Sequence, residues 1–179
     1  MLPLVLTLLL ANPVLVSRTP TLLDGLKVLS VSIDEENQEA RLSLEDDWTL
    51  VLGGPDGQVT SASMYYGTRS EGYQGELPAL GSQLGRVARS LGSGCFGLPA
   101  AQRQVAGARV WETVRKAGQG ADEWWAYDDL RVQAHVIAEP GYSRTLGDSG
   151  VVEVPPEVSV SVNLSREPST TWTPNCRWR

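Results

Sequence analysis

The amino-acid sequence predicts an α+β protein, an antiparallel sheet with two central helices packed on one of its faces. Apolar residues alternate with a period of two in two separate parts of the chain, which indicates strands. Between these parts the apolar period changes to 3.6, which indicates helices. The predicted order is therefore β-β-β-α-α-β-β, an order typical of the α+β class. One sheet face should meet the helices, and Ser, Thr, Gln and Arg should face water on the other.

Three strands are predicted before the helices. Their boundaries are residues 26–33, 39–52 and 58–66. In the first strand, Leu29, Val31 and Ile33 lie on one side, and a charged turn follows. The acidic triplet 45–47 interrupts the second strand and is interpreted as a bulge. Residues 53–57, GGPDG, predict a tight turn, because Pro fixes φ and Asp-Gly tolerates positive φ.

Two helices are predicted in the middle of the chain. The first carries one apolar stripe, formed by Leu77, Leu80, Leu84, Val87, Ala88 and Leu91. Pro78 suits its first turn, and Gly92 suits its end. The second helix runs from about Pro99 to Ala117. Its inward residues are predicted to be Ala101, Val105, Ala108 and Trp111.

Two strands are predicted after the helices, at residues 130–138 and 151–164, with a loop at 139–150 between them. The pair Pro155-Pro156 breaks or starts the second of these strands. It also favours an edge position, because proline cannot donate a ladder hydrogen bond. Residues 121–129 have a mixed pattern and receive no assignment.

The N-terminal segment predicts export. Residues 1–17 contain no charged side chain and are too short for a comfortable membrane span, which needs about 20 residues. We predict a signal peptide or a hydrophobic anchor at residues 1–17 and a single α+β domain at 18–179. The signal is atypical, because no Lys or Arg precedes the apolar run and no A-x-A site closes it. The predicted location is secreted or periplasmic, with an uncleaved anchor and a buried first helix as alternatives.

The chain contains two cysteines, Cys95 and Cys176. A pair of cysteines in an exported protein predicts one disulfide. A closed loop of this size stabilises a fold by about 4 kcal/mol in the chain-entropy model. The bond would connect the C-terminal segment to the middle of the chain, and two unrelated buried thiols are the alternative.

The charge pattern excludes some partners. The net charge is −6, and the basic residues form no cluster. Nucleic-acid binding needs clustered Lys and Arg, and so does docking on an anionic membrane surface. We therefore predict no nucleic-acid partner, and membrane contact only through an uncleaved N-terminus.

Two short motifs match functional signatures without their required context. Residues 147–150, GDSG, are followed by Val151 and not by the Gly-Pro of chymotrypsin-like proteases. The single histidine, His135, is too close to Ser149 along the chain for the triad order of that fold. Residues 92–97 match G-x-G-x-x-G, but a helical stripe precedes them where the nucleotide-binding motif needs a strand. Both motifs are interpreted as turns, and His135 as a surface residue.

Acidic clusters occupy the predicted turns, at residues 34–36, 45–47, 122–123 and 128–129. Solvated turns are the preferred interpretation. Asp34 and Glu45 have the first-to-last spacing of an EF-hand loop, but Glu39 stands where that loop needs glycine and residues 40–44 are patterned as a strand. Carboxylates from different turns that gather a Ca²⁺ stay open as an alternative. No cofactor is predicted.

Aromatic residues are the candidate binding positions. They lie in two groups near predicted strand ends, Tyr65 with Tyr66 and Trp124 with Trp125 and Tyr127. Adjacent residues of a strand point to opposite faces, so one of each pair should be exposed and able to anchor a partner. We predict a non-catalytic protein that binds a protein or a cell-envelope polysaccharide. The alternatives are a small secreted hydrolase that uses loop carboxylates and a structural envelope protein anchored at the membrane.

Overall fold

The computed structural model of the protein describes residues 23, 25–69, 73–117, 120–145, 150–167 and 174–178. Within these residues, a seven-stranded antiparallel sheet carries two helices on one face, and a two-stranded ribbon lies apart from it. The predicted α+β class is confirmed. Residues 1–17 and Ser149 lie outside the described residues, so the predictions made for them stay predictions.

The described elements follow one another as four strands, two helices and five strands. The strands are β1 (Val28–Asp34), β2 (Glu39–Leu44), β3 (Thr49–Gly53), β4 (Ser61–Arg69), β5 (Gly120–Tyr127), β6 (Leu130–Glu139), β7 (Tyr142–Thr145), β8 (Val151–Val154) and β9 (Glu157–Arg166). The helices are α1 (Tyr73–Gly94) and α2 (Ala100–Lys116).

The large sheet has the strand order β1-β2-β3-β4-β9-β6-β5. Strand β9 therefore lies between β4 and β6, inside the sheet, and the predicted edge position for residues 151–164 is wrong. Pro155 and Pro156 separate β8 from β9 and precede the first ladder residue of β9, so they remove no hydrogen bond from the sheet. Residues 151–154 pair instead with β7 in the separate ribbon.

The acidic triplet 45–47 is a turn between two strands, and its interpretation as a bulge is wrong. Asp46 and Asp47 both adopt positive φ, which reverses the chain so that β2 and β3 pair as a hairpin. The backbone N–H of Leu44 donates to the carbonyl oxygen of Trp48 across this turn at 2.8 Å. Aspartate tolerates this conformation better than most residues, which gives the triplet its physical role.

The sequence predicts neither β5 nor β7 as a strand. Residues 121–127, which receive no prediction from the sequence, form part of the edge strand β5, and residues 142–145 form β7 inside the predicted loop. Most side chains of β5 are exposed or half-exposed, and every side chain of β7 is exposed, so the alternating pattern of a half-buried strand is missing.

The apolar face of the large sheet meets the helices. A row of cross-strand partners runs across five strands in this face, and its members are Leu42, Leu50, Met64, Val162 and Ala134. All of them are buried. Leu29 is an exception in β1, because the register shift beside it leaves this side chain exposed and not on the predicted apolar side.

Helix α1 extends further than predicted. It begins at Tyr73 and ends at Gly94, so Pro78 lies inside it and Gly92 is still helical. Both predicted boundary roles are therefore wrong. Gly92 instead lets α1 approach the sheet and the following segment, because a Cβ there would contact Leu98 at 3.3 Å and Leu164 at 3.9 Å.

Helix α2 has the predicted length but not the predicted inward face. The residues predicted to point inward, Ala101, Val105, Ala108 and Trp111, are exposed. Its buried residues are Ala106, Gly107, Val110, Thr113 and Val114. The reason lies in the contact between the helices, where Gly107 meets Gly85 of α1. Two glycines bring the helix backbones together, so the face of α2 that contains Gly107 packs on α1 and the face that contains Val105 and Ala108 points out.

Replacement of Gly85 tests this contact. A Cβ at Gly85 would lie 2.6 Å from the carbonyl oxygen of Gly107, so Gly85→Ala must separate the helices. We expect the free energy of unfolding to fall by about 1–3 kcal/mol, although alanine favours helix formation. The control is Gly75→Ala in the same helix, where a Cβ meets nothing within 4 Å. Urea denaturation of both variants measures the difference, and equal stabilities would contradict the close contact.

The C-terminal segment is fixed to the end of the sheet and to α1. Cys176 forms a disulfide with Cys95, with Cα atoms 4.9 Å apart, so the predicted bond is confirmed. The carbonyl oxygen of Cys176 accepts from the N–H of Val59 at 3.0 Å. Trp178 is 1% exposed, and its indole Nε1 donates to the carbonyl oxygen of Gly54 at 3.1 Å. This segment therefore covers the β3–β4 turn and one end of the core.

Candidate functional site

The face of the large sheet away from the helices is polar, as the sequence predicts. Its middle row crosses four strands, because Trp124 of β5 pairs with Gln133 of β6, Gln133 with Asn163 of β9, and Asn163 with Ser63 of β4. We call these four residues the polar row. Side chains of directly paired residues lie on one face of a sheet and close enough to interact. The polar row is therefore a continuous line of side chains on the open face.

Trp124 is the most exposed aromatic residue in the described part of the chain, at 66%. It lies in the edge strand β5, which places it on the same face as Asp122 and Ala126 by the alternation of the strand. Ala126 is small, so one side of the indole ring has no large neighbour within its own strand. An exposed indole costs solvation free energy, which makes Trp124 the first candidate for a ligand contact.

Hydrogen bonds connect the other members of the polar row. The Ser63 hydroxyl donates to Oδ1 of Asn163 at 2.5 Å, and Nδ2 of Asn163 donates to Oε1 of Gln133 at 3.3 Å. Nε2 of Gln133 then donates to Oδ1 of Asp122, beside Trp124, at 2.7 Å. Each of these three bonds joins two different strands, so together they connect β4, β9, β6 and β5 on the open face.

The carboxylate of Asp122 sets the direction of this chain of hydrogen bonds. An ionised carboxylate only accepts, so Gln133 must present its NH₂ group to Asp122 and its oxygen to Asn163. Asn163 must then present its NH₂ group to Gln133 and its oxygen to Ser63. The bonds among the described residues leave each amide a second N–H and a second lone pair. The row thus offers fixed donors and acceptors to a ligand.

Two clefts lie beside Trp124. The smaller has a volume of about 300 Å³ and is lined by Trp124, Arg131, Gln133, Asn163 and Ser165. The larger, of about 600 Å³, continues toward the β5–β6 turn and is lined by both Trp124 and Arg131. Its charged residues are Asp128, Asp129, Arg131, Arg166 and Glu167. Arg166 donates to Asp129 at 2.7 Å, so part of this charge is paired within the protein.

The other predicted aromatic residues have different positions. Trp125 and Tyr127 lie on the helix side of β5 and are half-buried against the core. The Arg109 guanidinium lies 5.8 Å from the Trp125 ring centroid. Burial raises the pKa of the Tyr127 phenol above its ordinary value, and the charge of Arg109 partly opposes this. Neither residue shares a face with Trp124.

The tyrosine pair divides between the two faces in the same way. Tyr66 packs on the helix side against Trp48, with ring centroids 5.2 Å apart. Tyr65 is half-buried and pairs with Ser161 of β9, next to the polar row on the open face. Of the five predicted binding aromatics, Trp124 and Tyr65 therefore lie on the open face, on strands β5 and β4 with β6 and β9 between them.

His135 also lies on the open face, in agreement with its predicted surface position. Its Nδ1 is 3.6 Å from Oδ1 of Asp122, and the two residues are direct cross-strand partners. The residues of the GDSG motif from Gly147 to Ser149 lie outside the described residues. In the other motif, Gly92 and Gly94 belong to α1, so a helix and not a strand precedes the turn at residues 95–97.

Two carboxylates of the acidic turns accept hydrogen bonds from within the protein. Asp34 accepts hydrogen bonds from the backbone N–H and the side-chain amide of Asn37, and these bonds lower the pKa of Asp34. Glu45 accepts from the backbone N–H of Lys27 at 3.1 Å. Among the described residues, no group of three His, Cys, Asp or Glu side chains is arranged to hold a metal ion.

Sequence analysis missed most of the polar row. Gln133, Asn163 and Ser63 are ordinary polar positions of alternating strands, and only their cross-strand pairing makes them a group. That pairing joins residues up to 100 positions apart. The polar alternation of residues 130–138 and 151–164 correctly indicates which side chains lie on the open face, but it does not indicate their cross-strand partners.

Comparison with protein-family models, curated proteins and solved structures gives no match for this chain. Over the residues that the structure describes, no helix is both long and apolar enough to span a membrane.

Proposed function

We propose that this protein is an exported binding protein without catalytic activity, and that it binds a macromolecular partner of the cell envelope through the open face around Trp124. The main observation that supports this proposal is the exposed indole of Trp124, which lies beside polar-row side chains whose hydrogen bonds fix their orientation. Aromatic anchors surrounded by ordered polar groups are typical of recognition surfaces. Fixed side chains also lose less conformational entropy when a partner binds.

Export is the second part of the proposal. It is supported by the uncharged N-terminal run and by the buried Cys95–Cys176 disulfide, since such bonds persist mainly in oxidising compartments. The envelope of the cell is then the first place to look for the partner. The proposed location is secreted or periplasmic.

Capture from a native envelope fraction tests the proposal, with the purified full chain immobilised as bait. We expect Trp124→Ala to reduce the retained partner at least about tenfold, because the anchor of the surface is removed. The matched control is Trp111→Ala, which truncates a tryptophan that is 37% exposed on α2, away from the open face. Equal capture by wild type and Trp124→Ala, or no capture at all, would overturn the proposed surface.

A further inference from the structure

We infer that the polar row is a binding groove for a neutral saccharide chain, an assignment of ligand class that rests on the proposed function. The polar row supplies both kinds of contact that such a ligand needs. Sugar rings have apolar C–H faces that pack on an aromatic ring, and hydroxyl groups at their edges that donate and accept hydrogen bonds. Trp124 offers the first contact, and Gln133 and Asn163 offer the second.

The position of Trp124 suits the packing of a sugar ring. Its indole face is large, polarisable and electron-rich, and it attracts the weakly positive C–H groups of a pyranose. Its neighbour on the same face in β5, Ala126, ends at Cβ and leaves room for a ring. The cleft beside the indole is open to solvent on the sheet face and is lined by Arg131 and Ser165 on its other side.

The amides of the polar row suit hydroxyl groups. A sugar hydroxyl both donates and accepts, and the spare N–H and lone pair of each amide match that pair of functions. Because Asp122 fixes the direction of the row, Gln133 and Asn163 present these groups in a defined order. Hydrogen-bonded chains of this kind also polarise one another, which strengthens the contacts that they make.

The charges of the groove favour a neutral chain over an anionic one. Beside Trp124, the larger cleft has the cations Arg131 and Arg166 against the anions Asp128, Asp129 and Glu167. One of the cations, Arg166, is already paired with Asp129. In this larger cleft the remaining charges are Arg131 against Asp128 and Glu167, and the whole chain carries −6. The smaller cleft along the polar row has one charged lining residue, Arg131. An anionic chain would therefore meet one cation and, toward the β5–β6 turn, a surplus of anions.

The apolar content of the open face is too small for a typical protein partner. On strands β4, β5, β6 and β9, the large apolar side chains that are exposed are Trp124 and Ile137. The centre of a protein interface is usually more apolar than this. The polar row instead crosses three strand spacings of about 4.8 Å each, a length of about 14 Å that fits a few linked sugar rings.

Calorimetric titration of the full chain with defined sugars tests the assignment. The probes are neutral hexasaccharides of glucose, N-acetylglucosamine, mannose and xylose, with polygalacturonate as the anionic comparison. We expect at least one neutral probe to bind, Trp124→Ala to weaken it at least about tenfold, and Gln133→Ala about threefold or more. Trp124→Phe should retain part of the affinity, because it keeps an aromatic face.

The controls are Trp111→Ala and Gln104→Ala, which remove the same side-chain types from exposed positions on α2. Both should bind as wild type. Failure of every neutral probe, stronger binding of polygalacturonate, or binding that survives in Trp124→Ala would overturn the saccharide assignment. If the envelope capture still depends on Trp124 in that case, the proposed function stands and the partner is another macromolecule, an anionic saccharide where polygalacturonate binds and a protein where no sugar probe binds. If that capture fails as well, both proposals are wrong.

Discussion

The double variant Cys95→Ala/Cys176→Ala should lose about 4 kcal/mol of unfolding free energy. The disulfide closes a loop with a sequence separation of 81, and removal of the bond restores the conformational entropy of that loop in the unfolded chain. For a chain of this length, the loss corresponds to a fall in Tm of about 10 °C. Both sulfur positions are buried, so small cavities at the two alanines add to the effect.

Wild-type protein unfolded and refolded under reducing conditions is the matching control for this variant. It should lose most of the same stability, since it also lacks the covalent link, and it should lose slightly less than the double alanine variant because it has no cavities at the two positions. Denaturant titrations with and without reductant measure the difference. A loss below about 1 kcal/mol would show that the native contacts alone hold the C-terminal segment in place.

Trp178→Ala should cost about 3–5 kcal/mol of unfolding free energy, the usual effect of truncating a buried tryptophan. The ring is 1% exposed, and the variant also leaves the carbonyl oxygen of Gly54 without its indole donor. The matched control is Trp124→Ala, the same truncation at a site that is 66% exposed, which should change stability by less than about 1 kcal/mol. Equal losses in the two variants would contradict the buried position of Trp178.

The disulfide and the buried Trp178 side chain, which both hold the C-terminal segment, should also be energetically coupled. Without the disulfide, residues 174–178 can detach from the core while the rest of the sheet stays folded. Trp178→Ala should then cost less in the cysteine-free background than in wild type. A double-mutant cycle over both changes measures this coupling energy, which lies between about 0.5 and 3 kcal/mol for groups that share partners.

Local patterns in the sequence were enough for the class of fold, the second helix, the disulfide and the polar sheet face. They were not enough wherever a contact between distant segments decides the outcome. The inward face of α2 follows from Gly85 meeting Gly107, which a hydrophobic stripe does not show. The turn at Asp46 and Asp47 depends on backbone conformations that an acidic triplet only permits.

In the candidate site, too, local patterns predict single positions but not the contacts between distant strands. Alternation predicted that one residue of the pair Trp124-Trp125 is exposed, and Trp124 is that residue. The polar row beside it depends on β9 lying between β4 and β6, and on the register of both pairings. A shift of one residue in either register would turn Asn163 to the helix side, so no local pattern contains this information.

The central position of β9 also has a consequence for the order of folding. The β1–β4 meander and the β5–β6 hairpin share no strand pairing except through β9, so residues 157–166 are needed to join them. During synthesis, both parts are made before β9, so the edges of β4 and β6 that pair with β9 stay unpaired until then. The contacts between β9 and β4 join residues up to 100 positions apart, so the chain loses conformational entropy in closing this loop before the contacts stabilise the sheet. We therefore expect the native sheet to form only after the ribosome has passed residue 166.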